Sequence, residues 1–333
     1  MFSKIYAKIK YYIKQNYKFI LLLIALFFVF TFELPYYIDA PGGLIEVSSR
    51  IEVEDSSDSS GTFNLAYISE FKATIPTLIF AYFNDDWDII KNEEIVASNE
   101  TVQEIEYRNH LLLEEANQNA VIVAFEKANI DYEVKSRTVN IIYIYEGADT
   151  DLKIGDEIIE VNDQKVNNKE EVLALIEQDD SIKFKVMNDG KEYYRYANKK
   201  NINGEYLVGI MICETKEVVP SKEVSFNFNK SESGPSGGFM MALAIYDCLI
   251  PEDLTNGLKI VGTGTIDENG NVGAIGGVEY KLKAAEKEKA DIFFVPQANF
   301  EEAKQAIEEN ELNINLVVVS HIDEAITYLR NYR

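Results

Sequence analysis

Residues 259–296 read KIVGTGTIDENGNVGAIGGVEYKLKAAEKEKADIFFVP, and this stretch decides the fold of the chain. Its apolar runs, an Asn-Gly pair and a Gly-Gly pair predict in order a strand, a tight hairpin, a helix and a second strand. Strands and helices that follow one another in this way are typical of a domain in which helices cover a sheet. We therefore expect the α+β fold class.

Several lysines lie on or near the predicted helix, and Lys281 differs from the others in its position. It follows Val278 by three residues and precedes Ala284 and Ala285, which places it at the edge of the apolar stripe. Burial disfavours the charged ammonium and lowers the pKa of a lysine. A neutral lysine can take the proton of a serine hydroxyl, whereas a snorkelling surface lysine is the alternative interpretation.

Upstream, residues 231–247 read SESGPSGGFMMALAIYD, which predicts a turn and then a mostly apolar helix. Gly237 and Gly238 let the backbone approach another group closely. The free N–H groups and the dipole of a helix start stabilise negative charge, so Ser236 is well placed to attack a carbonyl. This stretch alone is equally compatible with a structural helix cap.

Together, the two stretches resemble the proteolytic domain of the Lon family over about residues 205–333. A Gly-Pro-Ser-small-Gly turn, a strand with Thr-Gly, a hairpin, Gly-Gly and a lysine on the next helix recur in the same order. The resemblance implies a Ser-Lys dyad in which Ser236 is the nucleophile and Lys281 the general base. It also implies that the Thr263 hydroxyl helps to orient the lysine.

The chain departs from the usual sequence of that family at two places. Gly237 stands where alanine is more usual, and Glu232-Ser233 replaces lysine-aspartate before the turn. The first change should leave the turn intact, whereas the second puts any role of that acidic position in doubt. Ser231 and Ser233 are expected to be ordinary loop residues.

Other kinds of chemistry find little support in the sequence. No G-x-x-x-x-G-K-[ST] motif is present, so we expect neither ATP binding nor an ATP requirement. Cys213 and Cys248 lack the spacing of a metal or redox site, and we expect no metal ion and no cofactor. His110 and His321 have no motif around them, which disfavours a Ser-His-Asp triad.

The chain begins with a lysine-rich segment that is followed by an apolar run. We assign residues 1–18 to a cytoplasmic basic segment and residues 19–38 to a transmembrane signal anchor. The uncharged run Phe19–Phe32 spans 14 residues, about 21 Å as a helix. Lys18 can snorkel, residues 13–17 and 34–38 extend the apolar surface, and tyrosines flank the run where interfacial aromatics are expected. Lysines on the N-terminal side predict a cytoplasmic N-terminus and an extracellular catalytic body. A cleaved signal peptide is the alternative, but no A-x-A site follows.

The segment between the anchor and the proteolytic domain divides into two parts. Residues 39–129 alternate strand-like and helical patterns, and we expect strands and helices that pack with the proteolytic domain. Residues 130–200 include GADTDLKIGDEIIEVNDQKV, which resembles a bacterial PDZ domain. That resemblance implies a β-barrel-like module that binds a peptide as an added strand, with an inert spacer as the alternative. The Gly-Leu-Gly-Phe-like carboxylate loop is not recognisable near Lys135–Ile141.

The charge distribution limits the class of partner. The formal net charge is −24, and the first 32 residues hold five lysines and no acidic residue. The acidic remainder would repel nucleic acid, so we expect no nucleic-acid partner. We expect peptide or protein substrates and a membrane as partners. The resemblance is also compatible with a homo-oligomer, because Lon-type domains often form rings.

The combination of anchor, PDZ-like module and Lon-type domain resembles the Gram-positive membrane-anchored Lon-like serine proteases of the SepM/YlbL group. In that group the PDZ module interrupts the peptidase fold, which implies that strands from residues 41–75 join the sheet of residues 205–333. The resemblance implies an ATP-independent serine endopeptidase that cleaves extracytoplasmic peptides or proteins, with the PDZ module binding or gating substrate. A membrane-tethered PDZ scaffold with an inactive protease domain is the alternative; an intracellular Lon fragment is disfavoured by the anchor.

Overall fold

The computed structural model describes residues 2–91, 100–202, 204–228 and 234–332. Within these ranges the fold is a mixture of helices and strands, as the sequence predicts. Ser231, Glu232 and Ser233, which were discussed above, lie outside the described residues.

The chain divides into two compact units. The first consists of Met1–Pro41 with Ile68–Val96, and the second of Gly42–Tyr67 with Ala97–Arg333. Two long strands each contribute residues to both units, namely β1 (Tyr36–Glu46) and β3 (Thr62–Lys72).

The first unit begins with helix α1 (Phe2–Thr31), whose part from Lys8 to Thr31 is long and apolar enough to cross a membrane. The backbone of Asn16 is not helical, so α1 is kinked there. The helix ends at Thr31 and β1 begins at Tyr36, so the last residues of the predicted 19–38 span are not helical. The unit also contains α2 (Ile75–Tyr82) and β4 (Asp88–Lys91), and β4 pairs antiparallel with the first residues of β1.

The second unit holds most of the secondary structure. Its helices are α3 (Val102–Lys127), α4 (Lys169–Gln178), α5 (Gly238–Leu249), α6 (Val278–Lys287), α7 (Phe300–Asn310) and α8 (Ile322–Asn331). Its shorter strands are β2 (Ile51–Val53), β6 (Asp149–Thr150), β8 (Gln164–Lys165), β11 (Lys200–Ile202), β12 (Glu205–Leu207), β14 (Val224–Phe226), β15 (Lys259–Gly262), β16 (Thr265–Ile266), β17 (Val272–Gly273) and β19 (Leu316–Val319). Its longer strands are β5 (Tyr132–Ile144), β7 (Glu157–Val161), β9 (Ser181–Asn188), β10 (Lys191–Asn198), β13 (Ile210–Pro220) and β18 (Ile292–Pro296).

Within the second unit, one sheet has the strand order β19-β18-β15-β3-β1. Strand β15 runs parallel to both β3 and β18, and β18 runs parallel to β19. The pairing of Thr62–Leu65 with Lys259–Gly262 confirms that a strand from the region 41–75 joins this sheet. The second sheet, described below, lies between these two paired strands in the sequence.

Strands β18 and β19 are apolar along their whole length, as is typical of parallel strands whose two faces are covered by helices. Successive side chains point to opposite faces, so Ile260 packs with α3, α5 and α8, whereas Val261 packs with α6 and α7. Phe294 and Phe293 on β18 divide between the two faces in the same way. Helix α3 packs against α5.

The second sheet has the order β13-β5-β7-β9-β10-β6, with β8 paired to β7. Helix α4 covers it over a separate small core that includes Val161, Val172 and Phe184. Asn168 caps α4 by accepting a hydrogen bond from the backbone N–H of Glu171. Strand β13 pairs with β5 along its full length. The region Lys135–Ile141, where a carboxylate-binding loop would be sought, is continuous strand in β5.

The pairing of β3 with β15 makes a testable prediction about stability. Phe63 on β3 is fully buried in the core that it forms with α5. All strands of the second sheet lie between Phe63 and α5 in the sequence. Phe63→Ala should lower the free energy of unfolding by about 3–5 kcal/mol, because a large cavity remains. Leu173→Ala, at a position 45% exposed, is the control and should change it by less than about 0.5 kcal/mol. Both changes are measured by denaturant unfolding of the detergent-solubilised chain. Equal losses of unfolding free energy in the two variants would contradict the burial of Phe63 in this core.

Candidate active site

The residues predicted to carry the chemistry converge at the carboxyl end of β15. Thr263 follows the last residue of that strand, and its side chain is fully buried. Ser236 lies in the turn before α5, which covers one face of the sheet, and Lys281 lies on α6, which covers the other. The end of a parallel strand is where helices from both faces of such a sheet can meet.

Ser236 occupies a single turn of 3-10 helix, Pro235–Gly237, that runs directly into α5. Its backbone carbonyl accepts hydrogen bonds from the Gly264 N–H (2.8 Å) and from the Thr263 hydroxyl (3.2 Å). The Phe239 N–H in turn donates to the Gly264 carbonyl (3.1 Å). These bonds fasten the serine turn to the chain that leaves β15. Ser236 is half-buried, so its side chain remains reachable from outside.

Two glycines make this close approach feasible. Gly264 has a φ of +156°, and a Cβ there would lie 2.7 Å from a Val272 methyl group and 3.3 Å from the Phe239 Cβ. A Cβ on Gly237 would lie 2.8 Å from a methyl group of Leu65. Glycine at position 237, in place of the more usual alanine, therefore suits the tight packing of this turn.

Lys281 is more deeply buried than its predicted place at the edge of the apolar stripe suggests. The residue is 4% exposed, and its Nζ donates a hydrogen bond to Thr263 Oγ1 over 3.1 Å. Burial lowers the pKa of Lys281 to about 8, while the carboxylate of Glu302 acts in the opposite direction. A substantial fraction of this amine is therefore neutral near pH 8.

The structure thus joins the three predicted residues through one hydroxyl. Thr263 Oγ1 accepts from Lys281 Nζ and donates to the carbonyl of Ser236. Within the described ranges, the hydroxyl of Ser236 makes no hydrogen bond with Lys281. Hydrogen bonds of this kind are often long or absent before substrate binds, so the arrangement is compatible with a substrate-free site.

Asn299 and Glu302 contribute to the site in a way that sequence reasoning missed. The Asn299 side chain accepts from the Ile275 N–H (2.9 Å) and donates to the Ile275 carbonyl (2.8 Å). Glu302 accepts from the Val278 N–H at the start of α6 (3.2 Å) and from Asn299 (3.1 Å). These bonds hold the Gly-Gly turn and so fix the helix that carries Lys281. An asparagine at a helix entry is a recognisable capping signal, but its distant partner is not visible in the sequence.

A cleft of about 360 Å³ lies beside the serine turn. The turn contributes Pro235, and the β16–β17 hairpin contributes Thr265–Asp267 and Asn271–Gly273. Helix α3 contributes Leu112, Glu115, Ala116 and Asn119, and Lys169 at the start of α4 completes the lining. The cleft has room for an extended segment of substrate next to Ser236.

The histidines and cysteines have other surroundings. His321 caps α8 by accepting from the Asp323 N–H, and the His110 side chain is exposed beside Glu114. Cys213 is buried and Cys248 half-buried, and burial raises the pKa of both thiols, that of Cys248 to about 11. Such thiols are poor nucleophiles at neutral pH.

Comparison with known proteins identifies the family of this domain. The family model described as the Lon protease (S16) C-terminal proteolytic domain matches residues 229–330. The match covers the serine turn, the hairpin and the lysine helix. It confirms the predicted resemblance of this domain to the proteolytic domain of Lon. It also confirms that the domain is of the serine peptidase class.

Relatives of known name agree with this assignment. The chain is 31% identical over 96 residues to the Lon protease of Aster yellows witches'-broom phytoplasma (strain AYWB), which covers 29% of this chain and 12% of that protein. It is 32% identical over 115 residues to the Lon protease of Roseiflexus castenholzii, covering 34% of this chain and 13% of the relative. It is 31% identical over 126 residues to the Archaeal Lon protease of Methanocaldococcus jannaschii, covering 35% and 18%. The chain thus spans less than a fifth of the length of these curated relatives.

The burial of Lys281 predicts a measurable cost in stability. Because its pKa is about 8 in the folded chain and 10.5 in an ordinary lysine, the unfolded chain holds the proton more tightly. Stability should therefore rise as the pH rises from 8 to 10, by up to about 3 kcal/mol. Lys281→Met should be more stable than the wild type at pH 7, and the difference should shrink at pH 9.5. Thermal unfolding at both pH values measures this, and destabilisation by Lys281→Met at pH 7 would contradict it.

Proposed function

We propose that this chain, which carries a Lon-type proteolytic domain, is a membrane-anchored serine endopeptidase that works without ATP on extracytoplasmic peptides or proteins. The observation that carries the proposal is the buried Lys281 amine, held by Thr263 beside the turn of Ser236. The apolar helix α1 supports the anchor, and the lysines that precede its apolar part support a cytoplasmic N-terminus.

In the proposed reaction, the Ser236 hydroxyl attacks the scissile carbonyl while neutral Lys281 takes the hydroxyl proton. The hydrogen of the Thr263 hydroxyl is already donated to the Ser236 carbonyl, so Thr263 can only accept from Lys281. The lone pair of a neutral Lys281 therefore remains available for the proton of Ser236. Thr263 is a positioning residue in this scheme.

The remaining steps follow from the same groups. The tetrahedral oxyanion forms at the start of α5, where backbone N–H groups and the helix dipole favour negative charge. Protonated Lys281 then gives its proton to the departing amine, which leaves an acyl-enzyme on Ser236. A water molecule then attacks this ester while Lys281 takes its proton, and Lys281 returns that proton to the Ser236 oxygen as the bond to the acyl group breaks.

The sheet of residues 132–220 is proposed to be a PDZ-like module with a gating role. At Val139 and Asn140, strand β5 pairs with β13 on one edge and with β7 on the other. A peptide cannot add to this part of β5 without displacing a strand. The module is therefore better placed to regulate the cleft than to capture a peptide on β5.

A partly buried ionic cluster provides the physical link for such gating. Glu214 on β13 accepts from the Lys169 N–H at the start of α4 (2.6 Å) and from Arg137 (2.5 Å). Arg137 also contacts Glu268, which lies in the turn of the β16–β17 hairpin, at 2.8 Å. This hairpin lines the cleft beside Ser236. Movement of α4 would therefore change the charge contacts of the hairpin.

The competing function is a tethered peptide-binding scaffold with an inactive peptidase domain. It requires an open strand edge in the module and gives no reason to bury Lys281 at a cost in stability. The paired edges of β5 argue against peptide addition at that strand, and the hydrogen-bonded Lys281 argues against an inactive peptidase domain.

The decisive test is cleavage of an unstructured protein by the full-length chain in detergent, with and without ATP. The wild type should cleave equally in both conditions. Ser236→Ala should abolish cleavage, and Lys281→Met should lower kcat by about 10²–10⁴-fold, because the general base is lost. Exposed Lys287 lies on the same helix, so Lys287→Met is the matched control and should retain full activity. Full activity of either dyad variant would overturn the mechanism, and binding without cleavage by the wild type would favour the scaffold.

The pH dependence of cleavage tests the role of Lys281 separately. Below its pKa of about 8 the amine is protonated and cannot accept a proton, so kcat/KM should rise with pH and level off above 8. Because the Glu302 carboxylate raises this pKa, Glu302→Gln should move the midpoint to lower pH. Glu301→Gln removes the same charge from the neighbouring exposed position and should leave the midpoint unchanged. A profile that peaks at acidic pH would contradict a lysine base.

A further inference from the structure

Helix α2 in the first unit is apolar on all sides although most of it is exposed. Its sequence from Ile75 to Tyr82 reads IPTLIFAY, and Phe83 follows directly. An apolar helix without a polar face is normally covered by protein or lipid. Within the described part of α2, Ala81 is the buried residue. The fold of this unit therefore does not account for the composition of the helix.

The exposed side chains form a continuous face. Ile75, Ile79, Tyr82 and Phe83 follow one another at intervals of four, three and one residues, which places them on one side of a helix. Ile79 is 56% exposed, Tyr82 77% and Phe83 79%. We call these four residues the α2 face. Large apolar side chains grouped in this way mark a surface that contacts a partner.

The opposite side of α2 is fixed to the rest of the unit. Ala81 and Leu78 pack with Ile38 and Ala73 in a small core. Trp87 lies edge-on to Phe80, with ring centroids 4.6 Å apart, and also packs against Phe71 at 5.5 Å. The α2 face is therefore held in one orientation by the residues beneath it.

The position of α2 points to the partner that covers its face. The Leu34 N–H donates to the Ala73 carbonyl (2.7 Å), so the residues that follow α1 are bonded to the residue that precedes the α2 cap. Glu33 and Lys72 form an ion pair at 3.0 Å at the same place. Helices α1 and α2 are also in contact. The α2 face is thus next to the point where α1 would leave the hydrocarbon core of a bilayer.

We propose that the α2 face lies in the surface of a phospholipid bilayer, in the leaflet where the C-terminal end of α1 emerges. This inference rests on the proposed anchoring of the chain by α1. Aromatic side chains such as Tyr82 and Phe83 are typical of the boundary between headgroups and acyl chains. The bilayer would cover the apolar surface that the unit itself leaves open.

The charge of the segment further specifies the interaction. Residues 73–87 contain Asp85 and Asp86 and no lysine or arginine. Insertion is therefore driven by burial of apolar side chains and gains nothing from anionic headgroups. Binding to zwitterionic phosphatidylcholine should be at least as good as binding to phosphatidylglycerol, and salt should have little effect on it.

The single tryptophan of the chain, Trp87, packs against Phe80 of α2 and therefore reports on the depth of this helix in a bilayer. The full-length chain is reconstituted in phosphatidylcholine vesicles that carry a spin-labelled lipid, with the label either high or low on the acyl chain. The shallow label should quench the fluorescence of Trp87 strongly and the deep label weakly. Soluble acrylamide should quench Trp87 in the wild type less than it quenches Trp87 in the polar variant described next.

The variant Ile79→Gln with Phe83→Gln makes the α2 face polar without touching the small core beneath it. It should lose most of the quenching by shallow lipid and gain quenching by acrylamide. The matched control, Tyr193→Gln with Tyr194→Gln, removes two exposed aromatic side chains on β10 and should behave as the wild type. Both variants are reconstituted in the same vesicles, and circular dichroism verifies that they are folded.

Three results would overturn the proposal. The first is quenching of Trp87 in the vesicle-bound wild type by acrylamide and not by the spin-labelled lipid, which would place the α2 face in water. Acrylamide protection that disappears when the protein is diluted in excess lipid would assign the face to a second copy of this chain. Extraction of the wild type by alkaline carbonate would overturn the anchor as well, whereas the peptidase assay is independent of all three outcomes.

Discussion

The site depends on one hydroxyl group with a single hydrogen. Thr263 must satisfy a buried amine on one side and the backbone of the serine turn on the other. Because its hydrogen is used by the Ser236 carbonyl, its oxygen is free to accept from Lys281. The two bonds of Thr263 thus link the turn before α5 to α6, although these helices pack on opposite faces of the sheet. The orientation of Lys281 and the path of the Ser236 turn are thus coupled through Thr263.

The parallel sheet is what brings these groups together. Strand β15 ends between the two helix layers, and small residues at this end allow close packing. A Cβ on Gly262 would lie 2.5 Å from the Met240 sulfur and 3.1 Å from the Phe294 Cβ, so a larger residue cannot occupy this position. The sheet also needs β3, which arrives from the far side of the inserted module. The proteolytic domain of this chain is therefore completed by residues that lie well outside the range matched by the Lon family model.

Two oppositely charged side chains are buried as a pair in the second unit. Glu214 is 3% exposed and Lys216 6%, and they lie 3.2 Å apart between the second sheet and α3. Lys216 also donates to Asn119, which in turn donates to the Ile266 carbonyl on β16. A buried pair of this kind adds little net stability but specifies one arrangement of the elements it joins. The gating role proposed for the second sheet requires such specificity, and the contacts with Ile266 and Glu268 reach the hairpin beside Ser236.

The sequence by itself singled out the candidate catalytic residues and determined the local elements around them. The Asn-Gly hairpin, the strand before Thr263 and the helix with Lys281 follow from short-range patterns, and they occur where the patterns predict them. Local periodicity, however, underestimated the burial of Lys281, because α7 and the strands beneath α6 cover it from outside its own segment. Only the tertiary structure decided that Asn299 and Glu302 support this helix, that β13 occupies an edge of β5, and that α2 leaves an apolar face uncovered. Each of these depends on contacts between residues far apart in the chain, which neither composition nor spacing records.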